Sequence, residues 1–211
     1  MRTSIARAVL AGALLASAGA ARAQLESYKP KETMSVASWA VSVPVGSFSK
    51  DFVDRTSWRG IGFDTRSRMW DRISLGVGID YARFEDTFSL VSVPAGNGGT
   101  LSGPLYRFAD QFTLRGLVHA YFPVGPVVPY GGVGIGAVWS YGYQQTSDYQ
   151  RSQNSMALLV APEAGLSWPF AKGASSTGLN LAVRWNWSQA SFLTVTNAQT
   201  VQVLLGLFAA Y

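Results

Sequence analysis

From Gln199 to Tyr211 the chain alternates strictly. Val201, Val203, Leu205, Leu207, Ala209 and Tyr211 fall on one side, and Gln202, Leu204, Gly206, Phe208 and Ala210 on the other. Period-two alternation is the signature of a β-strand with one apolar face. Seven earlier segments read the same way: Ser35–Gly46, Trp58–Met69, Ile73–Phe84, Arg107–Phe122, Tyr130–Tyr143, Ser155–Trp168 and Gly178–Ala190. The expectation is an all-β chain of eight strands.

The connections alternate too. Those after the second, fourth and sixth strands are tight or proline-rich, at Trp70–Arg72, Pro123–Pro129 and Pro169–Ser175. Those after the first, third, fifth and seventh are polar and mostly longer: Ser47–Ser57, Glu85–Tyr106, Gln144–Asn154 and Ser191–Ala198. Short turns at one end and long loops at the other predict an antiparallel, up-and-down barrel that crosses a membrane, with four loops outside and both termini inside. The glycine-rich tract Pro94–Gly103 falls in the longest loop, where mobility is expected.

A soluble barrel would alternate as well, with its apolar face inward, so the composition of the other face decides. Here that face is rich in Gly, Ser and Ala, with a few charges: Asp64, Arg66, Arg68, Asp80, Arg115, Glu163 and Arg184. After Lys50 the only lysine is Lys172, which does not suit a water-washed exterior but suits a narrow interior. The apolar face carries aromatics at two levels. Trp70, Phe122, Trp168 and Tyr211 lie at the short-turn end, and Tyr81, Trp139, Tyr141, Trp185 and Trp187 toward the loop end. Two such belts match the aromatic girdles of a transmembrane β-barrel.

The amino terminus agrees. Arg2 and Arg7 precede an apolar run from Ala8 to Ala20, and Ala21-Arg22-Ala23 offers a cleavage site, so residues 1–23 read as a signal peptide. Residues 24–34 are a polar lead-in and 35–211 the barrel. Removing Arg2, Arg7 and Arg22 lowers the formal net charge from +5 to +2, which leaves no dense basic patch and argues against nucleic-acid binding. Charged residues make up only 14% of the chain, against roughly 25% in a soluble domain. The absence of cysteine excludes disulfide staples and thiolate metal sites.

The opening Trp39…Pro44-Val45-Gly46, the run Ile73-Ser74-Leu75-Gly76-Val77-Gly78 after a tight turn, and the final aromatic resemble the small eight-stranded outer-membrane proteins of the OmpA, OmpX and OmpW type. The resemblance covers nearly the whole chain after the signal peptide. It implies location in the cell outer membrane of a Gram-negative envelope, contact with outer-membrane lipids, and a monomer. It also implies that Tyr211, in place of the commoner Phe, forms part of the signal read by the barrel assembly machinery.

The inward charges are the candidate site. An unpaired charge in a closed interior is costly, so Asp64, Arg66, Asp80, Arg115, Glu163 and Arg184 are expected to form a hydrogen-bonded network across the lumen. That network reads as a structural plug, with a narrow gated pore for small solutes as the alternative. Gly132, Gly134 and Gly136 would leave local room for water. The lone histidine, His119, lacks a His-x-Ser partner and falls near the short-turn end of its strand, so no enzymatic role, lipid modification included, is expected. Scattered acids with one histidine predict no metal site and no cofactor, and Gly131–Gly136 lacks the following helix of a phosphate loop. What remains is a structural or surface-interaction role, with the outer loops as the place for a surface partner.

Overall fold

The computed structural model describes residues 33–94, 100–146, 149–170 and 176–211. The signal segment and the lead-in up to residue 32 lie outside them. Eight strands close an antiparallel barrel in chain order: β1 (Thr33–Val45), β2 (Ser57–Trp70), β3 (Ile73–Pro94), β4 (Thr100–Tyr121), β5 (Val128–Thr146), β6 (Tyr149–Pro169), β7 (Ser176–Ser188) and β8 (Gln199–Ala210). The closing seam pairs β1 with β8 from Met34↔Ala210 to Val45↔Gln199, so neither strand is left as an open edge. Strand β1 starts two residues before the expected Ser35.

Alternation sets the two faces. Ile61, Leu114, Ile135, Leu158, Leu181 and Leu205 point outward and are exposed, while Asp64, Arg66, Asp80, Arg115, Glu163 and Arg184 are buried inside. A wall that is apolar outside and polar inside is the arrangement a bilayer demands, because lipid solvates the outer side chains and closure satisfies the backbone. Trp70, Phe122, Trp168 and Tyr211 are exposed at the turn end, and Trp139, Trp185 and Trp187 toward the loop end. The loop-end belt also holds Trp39 and Trp58, whose rings lie 5.8 Å apart. Trp39 donates its indole N–H to the Trp58 carbonyl at 2.7 Å. Pro162 faces outward in β6, and β6–β7 pairing lapses between Val160↔Trp187 and Glu163↔Arg184, since proline has no N–H to donate.

Two expected loops are largely strand. The Glu85–Tyr106 stretch continues the β3–β4 ladder through Glu85↔Phe108, Thr87↔Tyr106 and Ser92↔Ser102 up to Pro94↔Thr100. The Gln144–Asn154 stretch continues β5–β6 to Thr146↔Tyr149. Strands β3 to β6 thus run on as a four-stranded extension past the loop-end limits of β7, β8, β1 and β2. Along this extension the outward positions turn polar, Glu85, Thr87 and Gln145 among them, while inward Asp86, Leu105, Gln144 and Thr146 stay buried, so the apolar-out signature fades. Of the tract Pro94–Gly103, residues 95–99 lie outside the described residues, and Thr100–Gly103 belong to β4.

Over the low side folds a cap. Gly46, at φ 67°, turns the chain into a short helix α1 (Ser47–Asp51). The segment between β7 and β8 makes a tight turn, with Phe192 and Val195 paired and Leu193 at φ 52°. Phe48, Phe52, Val53, Phe192 and Val195 from these two segments pack into the barrel mouth against Phe84, Ala109, Val138 and Leu159 of the wall.

Candidate functional site in the barrel lumen

Side chains at even positions of β2 and β3 and their register partners point into the lumen. At mid-height they form one ion cluster. Glu163 and Arg184 are direct cross-strand partners on β6 and β7. Arg184 donates Nε to Glu163 Oε2 at 2.7 Å, Nη1 to Asp80 at 3.0 Å and Nη2 to Asp64 Oδ2 at 3.1 Å, so one guanidinium ties three carboxylates together. Arg115 bridges Asp80 and Asp64, donating Nη2 to Asp64 Oδ1 at 2.9 Å and Nη1 to Asp80. Arg66 donates Nη2 to Asp64 Oδ2 and to Glu163 Oε1, each at 3.1 Å. The structure therefore brings all six residues singled out from the sequence into contact.

Three carboxylates face three guanidiniums, and each acid meets more than one cation. Isolated charges in such an interior would lose several kcal/mol each to desolvation. Shared, bidentate pairing is what makes ionised burial tolerable. Neutral groups complete it: Thr113 donates to Asp80 Oδ2 at 2.9 Å and Tyr130 to Glu163 Oε1 at 2.9 Å. Asn180 donates in turn to the Tyr130 oxygen at 3.1 Å and accepts from Ser167 at 3.0 Å. Sequence reading missed Thr113, Tyr130 and Asn180, although each sits at an inward position of its strand.

Glycine makes the crossing possible. Gly62, Gly78 and Gly132 lie directly opposite Asp80, Asp64 and His119 in the ladders. A Cβ on Gly132 would run into the His119 ring, and one on Gly134 into the Arg115 stem. The room expected for water beside Gly132, Gly134 and Gly136 is thus taken by side chains and backbone, which corrects the pocket reading. His119 is buried with Nε2 3.5 Å from Glu163 Oε1 and its ring edge-on to Tyr130.

The lumen is not polar throughout. Above the ions lies the aromatic cap, where Phe48 meets Phe84 edge-on at 5.0 Å and Phe52 meets Phe192 at 5.5 Å. Below them, Met34, Val36, Phe208 and Ala210 make a second apolar layer at the turn end. The lumen is polar at mid-height and mixed toward both ends, where buried Ser74 and Asn180 on the turn side and Gln111, Ser140 and Asn186 on the loop side accompany the apolar layers. Hydrogen bonds latch the cap: the Ser47 hydroxyl donates to the Asn197 carbonyl at 3.0 Å and accepts from the Asn197 N–H at 2.9 Å. Arg107 of β4 donates to the carbonyls of Asp51 and Phe52 at 3.1 and 3.2 Å while lying over the Phe52 ring. Desolvation lowers the Arg107 pKa from its ordinary value, with Asp86 and Asp51 acting in the opposite sense. The spacing of Phe48 and Phe52, four residues apart, was the sequence signal for this apolar helical face.

Tyr211 follows the last residue of β8, exposed, with its N–H and C=O bonded to Thr33 at 3.0 Å each. Among the described residues no group of His, Asp and Glu could hold a metal ion. No helix among them is long and apolar enough to cross a membrane.

No protein-family model and no curated protein matches the sequence. Solved structures do. The chain is similar to Neisserial surface protein A, with TM-score 0.55 and 15% identity over 85% of this chain and 97% of that one. It is also similar to Ail, the attachment invasion locus protein of Yersinia pestis, with TM-score 0.50 and 13% identity over 85% of this chain and 99% of that one. At such identities the likeness shows the fold: the eight-stranded antiparallel barrel of small outer-membrane proteins.

Proposed function

We propose that this chain is an outer-membrane barrel with a structural and surface-interaction role, which holds a rigid platform outside the cell and conducts no solute. The observation that carries the reading is double closure of the lumen. The ion cluster of Asp64, Arg66, Asp80, Arg115, Glu163 and Arg184 fills mid-height, and the Phe48, Phe52 and Phe192 cap fills the outer mouth. An eight-stranded barrel is about wide enough for its own side chains, so two such layers leave no continuous path. The extension of β3 to β6, held against the cap, offers the surface for a partner. Outer-membrane lipids contact the apolar wall, the barrel works as a monomer, and Tyr211 at the end of β8 supplies the aromatic read by the assembly machinery. His119 is assigned no catalysis, being enclosed by Tyr130 and Glu163.

The test is single-channel recording in planar bilayers with protein refolded to its unboiled gel mobility. A flat trace over many insertions supports the scaffold. Discrete conductance in the wild-type chain, altered by Glu163→Gln or Arg184→Ala, would establish the narrow gated pore instead.

A further inference from the structure

On the turn-end side of the ion cluster the charges do not balance. Asp64, Asp80 and Glu163 are matched by Arg66, Arg115 and Arg184. Arg68, two residues beyond Arg66 on the same inward face of β2, takes part in no ion pair among the described residues, and its buried Nη1 has no acceptor. Arg66, only 2% exposed, offers Nη2 alone to carboxylates; its Nε and Nη1 are buried without an acceptor among the described residues, as is His119 Nδ1. Leaving charged donors buried and unbonded carries a full desolvation cost.

These groups adjoin one another in the ladders. Arg68 lies opposite Ser74, and Ser74 opposite His119. The Ser74 hydroxyl is 3.1 Å from the Tyr121 hydroxyl, and the Arg66 guanidinium lies 4.8 Å over the Tyr130 ring. The neighbourhood therefore presents guanidinium N–H, hydroxyl and imidazole groups, and its two nearby carboxylates are already engaged, Glu163 by Arg66, Arg184 and Tyr130 and Asp64 by Arg66, Arg115 and Arg184. The turn charges Asp71 and Arg72 are exposed and offset each other.

We propose that the turn-end half of the lumen binds one small monovalent anion between Arg66 and Arg68, with Ser74, His119 and Tyr121 around it. One negative charge balances the surplus arginine and supplies the acceptor that Arg66 Nε and Nη1 and Arg68 Nη1 lack. Guanidinium donors suit an inorganic anion through charge-assisted hydrogen bonds. The site goes beyond the scaffold reading, since a closed barrel needs no ligand.

Chloride is the probe. The refolded full chain is titrated with sodium chloride while the 35Cl NMR linewidth is followed. In parallel, the midpoint of heat-modifiable gel mobility is measured in chloride, nitrate and gluconate at equal ionic strength. The expected result is saturable line broadening and a higher midpoint in chloride and nitrate than in bulky gluconate. Arg68→Gln breaks no ion pair and should fold; it should bind chloride about tenfold more weakly or not at all, and its midpoint should no longer depend on the anion. Arg66→Gln should also lose binding, and refolding yield would show whether it stays folded. Wild-type protein with no excess linewidth and one midpoint in all three salts, meaning donors hydrated by water only, would overturn the proposal. So would chloride binding undiminished in a folded Arg68→Gln chain.

Discussion

Gly78 faces Asp64 across the β2–β3 ladder, and a Cβ at Gly78 would strike the Asp64 carboxylate and crowd the Arg115 guanidinium. The ion cluster closes only because this strand position has no side chain. Gly78→Val should therefore displace Asp64 from Arg115 and destabilise the barrel by several kcal/mol, the scale of a disrupted buried ion pair. Gly116→Ala is the control, since a Cβ there meets nothing nearer than the Ile135 carbonyl at 3.8 Å. Urea unfolding of protein reconstituted in lipid, followed by tryptophan fluorescence, should show a large loss for Gly78→Val and almost none for Gly116→Ala.

Arg184 touches Glu163, Asp80 and Asp64 at once, so its removal takes one cation from each and leaves the cluster with a surplus negative charge. Arg184→Ala should cost about 3–5 kcal/mol, the range for breaking a buried pair from one side. Adding Glu163→Gln removes that surplus charge, so the double variant should be more stable than the sum of the two single changes predicts. A double-mutant cycle on unfolding free energies reads this coupling directly. Strict additivity would mean that Glu163 and Arg184 do not share an ion pair in the membrane.

The barrel wall was legible because lipid outside and a packed lumen inside force alternation on every residue between the aromatic belts. Leu158 outside and Leu159 inside show the limit of that signal: the pattern gives the face, but Leu159 belongs to an apolar layer that only the cap explains. Asp64, Asp80 and Glu163 could be named from the sequence because a charge at an inward position has nowhere to go but to a partner. Which arginine meets which acid depends on ladder register and could not be read. The strands beyond Glu85 and Gln144 escaped notice because their outward positions turn polar, which erases the apolar period even though Asp86, Leu105, Gln144 and Thr146 stay buried inside. The cap escaped because Phe48, Phe52 and Phe192 lie in segments that otherwise look like polar loops.

The cap is bound to the wall by ring packing and a few side-chain hydrogen bonds, outside the barrel ladders. It should open on its own, well below the free energy of global unfolding. Phe192→Ala removes the ring that touches both Phe48 and Phe52. Hydrogen exchange should then accelerate at Phe48–Val53 and Phe192–Ala198, with the strand amides of β1 and β8 unchanged. Arg107→Ala should act the same way more weakly, by freeing the carbonyls of Asp51 and Phe52. Uniform acceleration across the strands would mean that cap and barrel unfold as one unit.

Cap and ion cluster close the lumen at different heights and share no side chain, so either should suffice as a seal. Phe192→Ala alone and Arg184→Ala alone should both stay silent in planar bilayers, and the double variant should leak. Conductance in Arg184→Ala alone would make the ion cluster the sole barrier.

Leu158 is 81% exposed on the outer face of β6, at the height of Leu114 and Ile135, where the wall should meet hydrocarbon. An arginine there must be drawn out of lipid or pull water in, at a cost of about 2–4 kcal/mol near the bilayer midplane. Ser152, six residues earlier on the same face of the same strand, lies on the loop-end extension and is exposed. Ser152→Arg should therefore change stability by less than about 0.5 kcal/mol. Refolding both variants into phospholipid vesicles, with unfolding in guanidinium, separates the two environments. Equal stability for Leu158→Arg and Ser152→Arg would mean that the apolar wall faces something other than a lipid core, and would remove the membrane from the interpretation altogether.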